Sequence, residues 1–429
     1  MERDAAASAA EKAMRQGSRY LAAQAYWQEC GALFALGDLE KAKAACRQST
    51  DAAPFALEIT ARSKTDLANI MEAEGKTAEA LEMRTQALDA ARKIGSQKDI
   101  SGALDHLANL LDSQGNSKEA REHFEEAFRI AREIGDKQGL LKLENDFASD
   151  LYSDGDFAGA ERLYRESLDT ARETKDKGGT AMALQNLGLV SMQQGRLADS
   201  QKGIQEAIAL QREAGMQNDR ASSLGMLGDV LMAQGDLVGA RRSYEESLKL
   251  FTDLKITSGI ASAESSLAAV DIESGQAAQA EILARRAAEE FATEKLVDSE
   301  ADARNTLARS LIAQTKITEA QSEIDRALKL NPQVRTIRMS LAVTAARLKA
   351  RTDRQPEAKR DLDATFAEAV RMNLAGLELE IRMAQLELNA AAEPKSAGPE
   401  FQALENDARA KGYLLIAAEA KQKRKALTR

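Results

Sequence analysis

A regular series of turn residues constrains this chain more than any other feature. Glycine recurs at an interval of 38 and then of 40 residues, at Gly37, Gly75, Gly115, Gly155, Gly195, Gly235 and Gly275. Thr315 takes the same place in an eighth copy. A fixed period of this length is typical of repeat architectures, in which each unit buries its apolar face against its neighbours. The sequence therefore predicts one stacked array.

One copy of the repeat shows what each unit should be. Residues 222–234 place leucines and a small residue, Gly228, at helical spacing, so one side of a helix requires burial. Gly235 should end that helix, because a left-handed residue costs least without a side chain. Asp236 is expected to cap a second helix, on which Tyr244 faces back towards the first. The pattern predicts a helical hairpin whose two helices approach closely at Gly228.

These fixed points resemble the tetratricopeptide repeat. The resemblance depends on the pairs Leu227-Gly228 and Ser247-Leu248, on Ala240 and Tyr244, and on their recurrence along the chain. It implies an all-α fold, an α-solenoid superhelix of about ten hairpins. We expect a helix or cap at residues 1–17, eight regular repeats at 18–332, degenerate hairpins at 333–412 and a capping helix at 413–429.

The period of 40 residues is longer than the commonest tetratricopeptide spacing. The chain thereby resembles a long-repeat subclass found in bacterial regulators, and its last segment resembles the end of arrays fused to bacterial kinases or winged-helix regulators. The extra residues lie between hairpins, where they should lengthen the helices. We expect a long polar loop around Gln217-Asn218, more tolerant of insertion than the tight turns at Gly195 and Gly235.

Composition limits the function classes. A net charge of −9 with 30% charged residues argues against nucleic-acid and membrane partners, and the N-terminus lacks the apolar core of a signal peptide, so a cytoplasmic protein is expected. Cys30 and Cys46 are interpreted as two buried small hydrophobes in preference to a disulfide. With only His106 and His123, no metal site, cofactor or catalytic set is predicted, and no enzyme activity is expected.

The resemblance implies a binding groove lined by the first helix of each hairpin. Its exposed positions lie ten, six and three residues before each turn. In repeats two to four these are Thr65, Asn69, Glu72, Asp105, Asn109, Asp112, Asn145, Ser149 and Tyr152. In repeats five to eight they include Gln185, Leu189, Met192, Asp229, Met232, Ile272, Asn305, Arg309 and Ile312. The first set is polar, whereas the second is largely apolar with methionine, which suits an adaptable surface.

Two pairs in the groove recur at the 40-residue step. Asn69 and Asn109 could hold the backbone of an extended peptide, because an amide donates and accepts at once. The alternative is a pair of solvated amides on an open helix face. Met192 and Met232 could receive apolar side chains of the same segment.

The function favoured by these features is a non-catalytic adaptor that binds a protein or an extended peptide. The alternative is the sensory or regulatory arm of a bacterial signalling system that acts with a separate output domain. The sequence names neither the partner nor the oligomeric state.

Overall fold

The computed structural model describes residues 2–352, 354–392 and 394–427. These residues form 22 α-helices and no strand. The helices are α1 Glu2–Arg15, α2 Arg19–Ala35, α3 Leu39–Ala52, α4 Leu57–Ala73, α5 Thr77–Ile94, α6 Gln97–Ser113, α7 Ser117–Ile134, α8 Lys137–Asp154, α9 Phe157–Glu173, α10 Lys177–Gln193, α11 Leu197–Glu213, α12 Gln217–Ala233, α13 Leu237–Leu254, α14 Thr257–Glu273, α15 Ala277–Glu294, α16 Val297–Ala313, α17 Ile317–Lys329, α18 Arg335–Ala350, α19 Gln355–Arg371, α20 Ala375–Ala392, α21 Pro394–Ala410 and α22 Leu414–Ala426.

The helices pair in chain order into hairpins. Helix α1 stands before the first pair, α2 and α3, and α22 stands after the last pair, α20 and α21. The α-solenoid of about ten hairpins that the sequence predicts is thus confirmed. Asp353 and Glu393, which fall within the expected degenerate hairpins at 333–412, lie outside the described residues. Gly412 has a φ of 82° and precedes the last helix, which begins at Leu414.

The hairpin turns have the expected left-handed backbone. Gly195 and Gly235 both have a φ of 78°, and Thr315 keeps the same conformation with a φ of 62°. The connections between hairpins are equally short, because α11 ends at Glu213 and α12 already begins at Gln217. The prediction of a long loop around Gln217-Asn218 is therefore wrong. The extra residues of the 40-residue period extend the helices, and no long loop remains there to accept an insertion.

The close approach expected at Gly228 is present. Gly228 lies buried under the ring of Tyr244, and a Cβ atom there would overlap the ring carbons Cδ1, Cε1 and Cζ. Asp236 caps α13 by accepting from the backbone N–H of Gly239 at 2.9 Å. The hydroxyl of Ser247 donates to the carbonyl of Ala221 at 2.7 Å. Tyr244 is 1% exposed, so the contact of α12 with α13 requires a residue without a side chain at position 228.

We therefore expect Gly228→Ala to destabilise the protein. Alanine is the better helix former by about 1 kcal/mol, but overpacking against Tyr244 should cost about 1 to 3 kcal/mol. Gly225 on the same helix is the matched control, because a Cβ there meets nothing within 4 Å. Urea unfolding should show a lower midpoint for Gly228→Ala and an unchanged or higher one for Gly225→Ala. Equal midpoints for the two variants would contradict the packing described here.

The chain contains two compact units, Met1–Asp150 and Leu151–Arg429, here called the N-terminal and C-terminal units. In the N-terminal unit, Cys30 and Cys46 are fully buried, as expected, but they form a disulfide with Cα atoms 5.2 Å apart. Their interpretation as unbonded hydrophobes is therefore wrong. Facing positions on α2 and α3 bring the two Cα atoms into the range that a disulfide requires. Disulfides persist mainly in oxidising compartments, so this bond gives no support to the expected cytoplasmic location, which stays a prediction.

In the C-terminal unit, the last helices pack against hairpins far earlier in the sequence. Tyr413 donates a hydrogen bond to the carbonyl of Met192 at 3.2 Å, and Gly235 lies against Leu414. One apolar core contains Leu197 and Ile204 of α11 together with Phe401, Tyr413 and other side chains of the last helices. The C-terminal segment is therefore part of the core of its unit.

The contact at Gly195 provides a test of this packing. A Cβ atom at Gly195 would lie 2.9 Å from the Cβ of Ala375 on α20, whereas one at Gly275 would meet nothing within 4 Å, and both residues have nearly the same φ. Alanine at either position should cost about 1 to 2 kcal/mol for the left-handed backbone, and only Gly195→Ala should also displace α20. We expect a lower urea midpoint for Gly195→Ala than for Gly275→Ala. Equal losses would mean that α20 does not pack on this turn.

Candidate functional site

The largest cavity described in the C-terminal unit has a volume of about 850 Å3. Its walls come mainly from the first helices of consecutive hairpins, α10, α12, α14, α16, α18 and α20, with further residues from α19 and α22. Because these helices repeat at a nearly constant step, each one presents the same face to the cavity. A volume of this size lies in the range of ligand sites, roughly 300 to 1,000 Å3.

One wall of the cavity is apolar. Met192, Met232, Ile272 and Ile312 line it, one from each of four successive first helices and each three residues before its turn. Leu415 and Ile416 of α22 add to the apolar lining. All four side chains of the ladder are partly buried. The wall can therefore take up apolar side chains along a line, and the two methionines can adapt to their shape.

Asp229 combines a strongly shifted pKa with a direct hydrogen bond to a neighbouring helix. Its Oδ1 accepts from the Tyr244 hydroxyl at 2.6 Å. Burial raises the pKa of Asp229 to about 6, and repulsion from Asp302 acts in the same direction, although the hydrogen bond opposes both. Tyr244 therefore has two roles, because its ring packs on Gly228 while its hydroxyl holds this carboxylate.

Other charges of the cavity form ion pairs. Arg309 contacts Glu273 at 3.0 Å, and Arg347 contacts Glu380 at 3.6 Å and Glu387 at 3.1 Å. Burial opposes the charge of Arg347, but Glu387 and Glu380 outweigh it and raise the pKa of this guanidinium. These pairs connect side chains of four helices, α14, α16, α18 and α20, at the cavity surface.

The remaining expected groove residues of this unit lie outside the cavity lining. Leu189 is partly buried, and Gln185 accepts from Ser223 at 2.6 Å and from Gln211 at 3.0 Å. Asn305 is only 5% exposed. Burial raises the pKa of Tyr152 to about 12 although Gln193 hydrogen-bonds to it. The structure thus brings together Met192, Asp229, Met232, Ile272, Arg309 and Ile312 and leaves these others apart.

The expected residues of the N-terminal unit are already engaged with the protein itself. The Oδ1 atom of Asn69 accepts from Arg84 at 2.7 Å. The Asn109 amide donates to the Asp105 carbonyl at 3.0 Å and to Asp146 at 3.3 Å.

Three further expected residues of this unit are also placed. Asp105 is 1% exposed and pairs with Lys142, and the buried Asn145 donates to the Leu141 carbonyl at 2.8 Å. Thr65 lines a separate cavity of about 350 Å3 together with Trp27 and His106. A ligand role for these residues stays a prediction.

The sequence reasoning missed several cavity residues, most of them on the degenerate hairpins, although they lie at regular distances from the turn positions. Arg347 lies six residues before Asp353, and Glu387 lies six residues before Glu393, which is the offset of Asp229 from Gly235. Asp302, Ser340 and Glu380 lie thirteen residues before the corresponding positions, one helical turn beyond the offsets considered. Extending the ladder by one turn and through the irregular repeats would have found them.

Comparison with protein-family models and with solved structures identifies the repeat that builds this fold. Residues 99–173 and 179–253 match a family model described as Tetratricopeptide repeat, and residues 305–353 match a second model with the same description. The chain is a tetratricopeptide-repeat protein. No curated protein sequence matches it. Among the described residues, no helix combines the length and apolarity needed to cross a membrane.

Solved structures show the same fold at low sequence identity. A Rap protein in complex with Competence and Sporulation Factor is 13% identical, with a TM-score of 0.60 over 83% of this chain and 99% of that one. A signal transduction ATPase with a tetratricopeptide repeat sensor from Pyrococcus horikoshii is 13% identical, with a TM-score of 0.51 over 72% and 52%. Aspartyl phosphate phosphatase F from Bacillus subtilis is 11% identical, with a TM-score of 0.55 over 67% and 75%.

The raised pKa of Asp229 leads to a prediction about stability. Its folded-state pKa of about 6 lies above the ordinary value of 3.8, so ionisation of this group removes stability as the pH rises from about 4 to above about 6. Asp229→Asn keeps an acceptor for Tyr244 but cannot ionise. We expect its urea midpoint to exceed that of the wild type at about pH 7.5, with the gap narrowing towards about pH 4.5.

Asp253→Asn is the matched control, because Asp253 is exposed on α13. It should shift the midpoint little at either pH. A gap for Asp229→Asn that does not change with pH would contradict the raised pKa.

Proposed function

We propose that this protein is a non-catalytic scaffold whose C-terminal unit binds a segment of a partner protein in the cavity. The observation that carries the proposal is the cavity of about 850 Å3, lined by equivalent positions of consecutive first helices. An elongated site with an apolar ladder fits a chain better than it fits a compact molecule, because the same side-chain position recurs from helix to helix. Protein binding is the function that the tetratricopeptide fold suggests.

The comparisons give this proposal limited but consistent support. The Rap protein, whose chain is almost wholly covered by the match, was solved with Competence and Sporulation Factor bound. An array of this fold can therefore hold a bound factor in that protein. A sequence identity of 13% indicates a shared fold but not a shared ligand. The partner of this chain must therefore be inferred from the residues of its own cavity.

A regulatory arm is the second candidate, and one observation favours it. Helix α22 lines the cavity with Leu415 and Ile416, while Tyr413, just before it, bonds to the carbonyl of Met192. A ligand in the cavity would thus contact both the regular repeats and the C-terminal segment. Occupancy could change how firmly α22 is held, which is the coupling that a sensory arm requires.

Site-specific photocrosslinking tests the proposed function. We expect p-benzoylphenylalanine at Met232, inside the cavity, to give crosslinks to one segment of a partner protein when the full-length chain is irradiated in its native cells. The matched control places the same group at Val238, which is 74% exposed. Mass spectrometry of the adducts identifies the crosslinked segment.

The position dependence decides the outcome. A defined adduct at position 232 that is absent at position 238 supports binding in the cavity. Adducts at position 238 alone, or the same adducts at both positions, would place the binding surface outside the cavity.

A further inference from the structure

The cavity holds more carboxylates than its cations neutralise. Arg309, Arg347 and Lys423 bond to Glu273, to Glu380 and to Glu387 within the cavity wall. Arg351, at the edge, donates only to the Ile312 carbonyl at 3.5 Å.

Three carboxylates remain without an ion-pair partner in the part of the chain that the structure describes. Asp229 bonds to the neutral Tyr244, while Asp302 and Glu419 make no such contact.

These carboxylates lie where ionisation is costly. Asp302 is exposed but lines the cavity, and desolvation there raises its pKa, opposed by Arg309 and helped by Glu380. Burial likewise raises the pKa of Glu419, although Arg347 lowers it. A cation that entered the cavity would relieve the repulsion between Asp229 and Asp302 and would stabilise both charged forms.

The apolar ladder limits what kind of cation fits. Met232 stands three residues and Asp229 six residues before Gly235, so this carboxylate and this part of the apolar wall lie within one helical turn of each other. A small hydrated cation would leave the wall in contact with water. A chain that carries one long basic side chain between apolar ones would satisfy both surfaces, because lysine and arginine combine an apolar stem with a charged end.

Resting on the function proposed above, we propose that the cavity binds an extended peptide segment in which a lysine or arginine stands between apolar residues. The basic group lies between Asp229 and Asp302, and the flanking side chains pack on the ladder of Met192, Met232, Ile272 and Ile312. The ion pairs of Arg309 and Arg347 neutralise Glu273, Glu380 and Glu387, so these carboxylates attract the basic group less than Asp229 and Asp302 do.

The test uses the full-length protein and four pools of synthetic peptides. Each pool has the form acetyl-X-X-Z-X-X-amide, with X drawn from alanine, leucine and methionine, and with Z fixed as lysine, arginine, norleucine or glutamate. Norleucine matches the lysine stem without its charge. Affinity selection followed by mass spectrometry should retain the lysine and arginine pools about tenfold more than the norleucine pool, and the glutamate pool least.

Variants assign this preference to the two carboxylates. Asp229→Asn combined with Asp302→Asn should remove the roughly tenfold preference, while Asp253→Asn, which changes the net charge equally on an exposed face, should retain it. The double asparagine variant is expected to stay folded, since burial opposes the ionisation of both Asp229 and Asp302; circular dichroism checks this.

Each remaining outcome would overturn the inference in a distinguishable way. If all pools are retained equally and the double variant Met192→Ala with Met232→Ala loses this retention, the cavity binds a segment but has no preference for a basic residue. A preference that survives the double asparagine variant would assign it elsewhere. Spermidine is tested beside the pools, and its retention without that of any peptide pool would make the ligand a polyamine. Binding of no probe would refute this inference, while the crosslinking at position 232 would still decide the proposed function by itself.

Discussion

Every hairpin of this chain depends on a neighbour to bury its apolar face, and this dependence shapes the rest of the structure. The contact of α12 with α13 shows the requirement at the scale of atoms, because Gly228 must lack a side chain for the ring of Tyr244 to lie against it. Left-handed turns such as Gly235 reverse the chain within three residues, so the paired helices stay in register. Each hairpin is therefore stabilised by its contacts with the neighbouring hairpins.

Much of this order could be predicted from the sequence, because it is local. The positions of Gly195 and Gly235, the cap at Asp236 and the small residue at Gly228 each act within one hairpin, and the period repeats them. The packing of α22 could not be predicted in the same way. Tyr413 meets Met192 across 221 residues, and a repeat period specifies only which neighbours stack. It does not specify where the end of an array returns to its middle.

The candidate site was predictable in part for the same reason. The offsets from each turn identified the apolar ladder and Asp229, since a helix face repeats with its helix. They did not reveal which polar side chains are free to bind. Asn69 and Asn109 have the right spacing, but both amides bond within the protein, and a period carries no information about such partners. The disulfide was missed because facing positions indicate proximity without a distance.

Ionisation of Asp229 in the cavity lowers the stability of the folded protein. The partly buried Asp229 provides an acceptor for the Tyr244 hydroxyl, but its ionisation is opposed by burial and by Asp302. Natural sequences place such conflicts mainly where a ligand or a reaction requires them. Tyr244 connects the two requirements, since one side chain both packs on Gly228 and donates to Asp229. A ligand that neutralises Asp229 would thereby stabilise the hairpin on which the array depends, and binding and folding of this unit would reinforce each other.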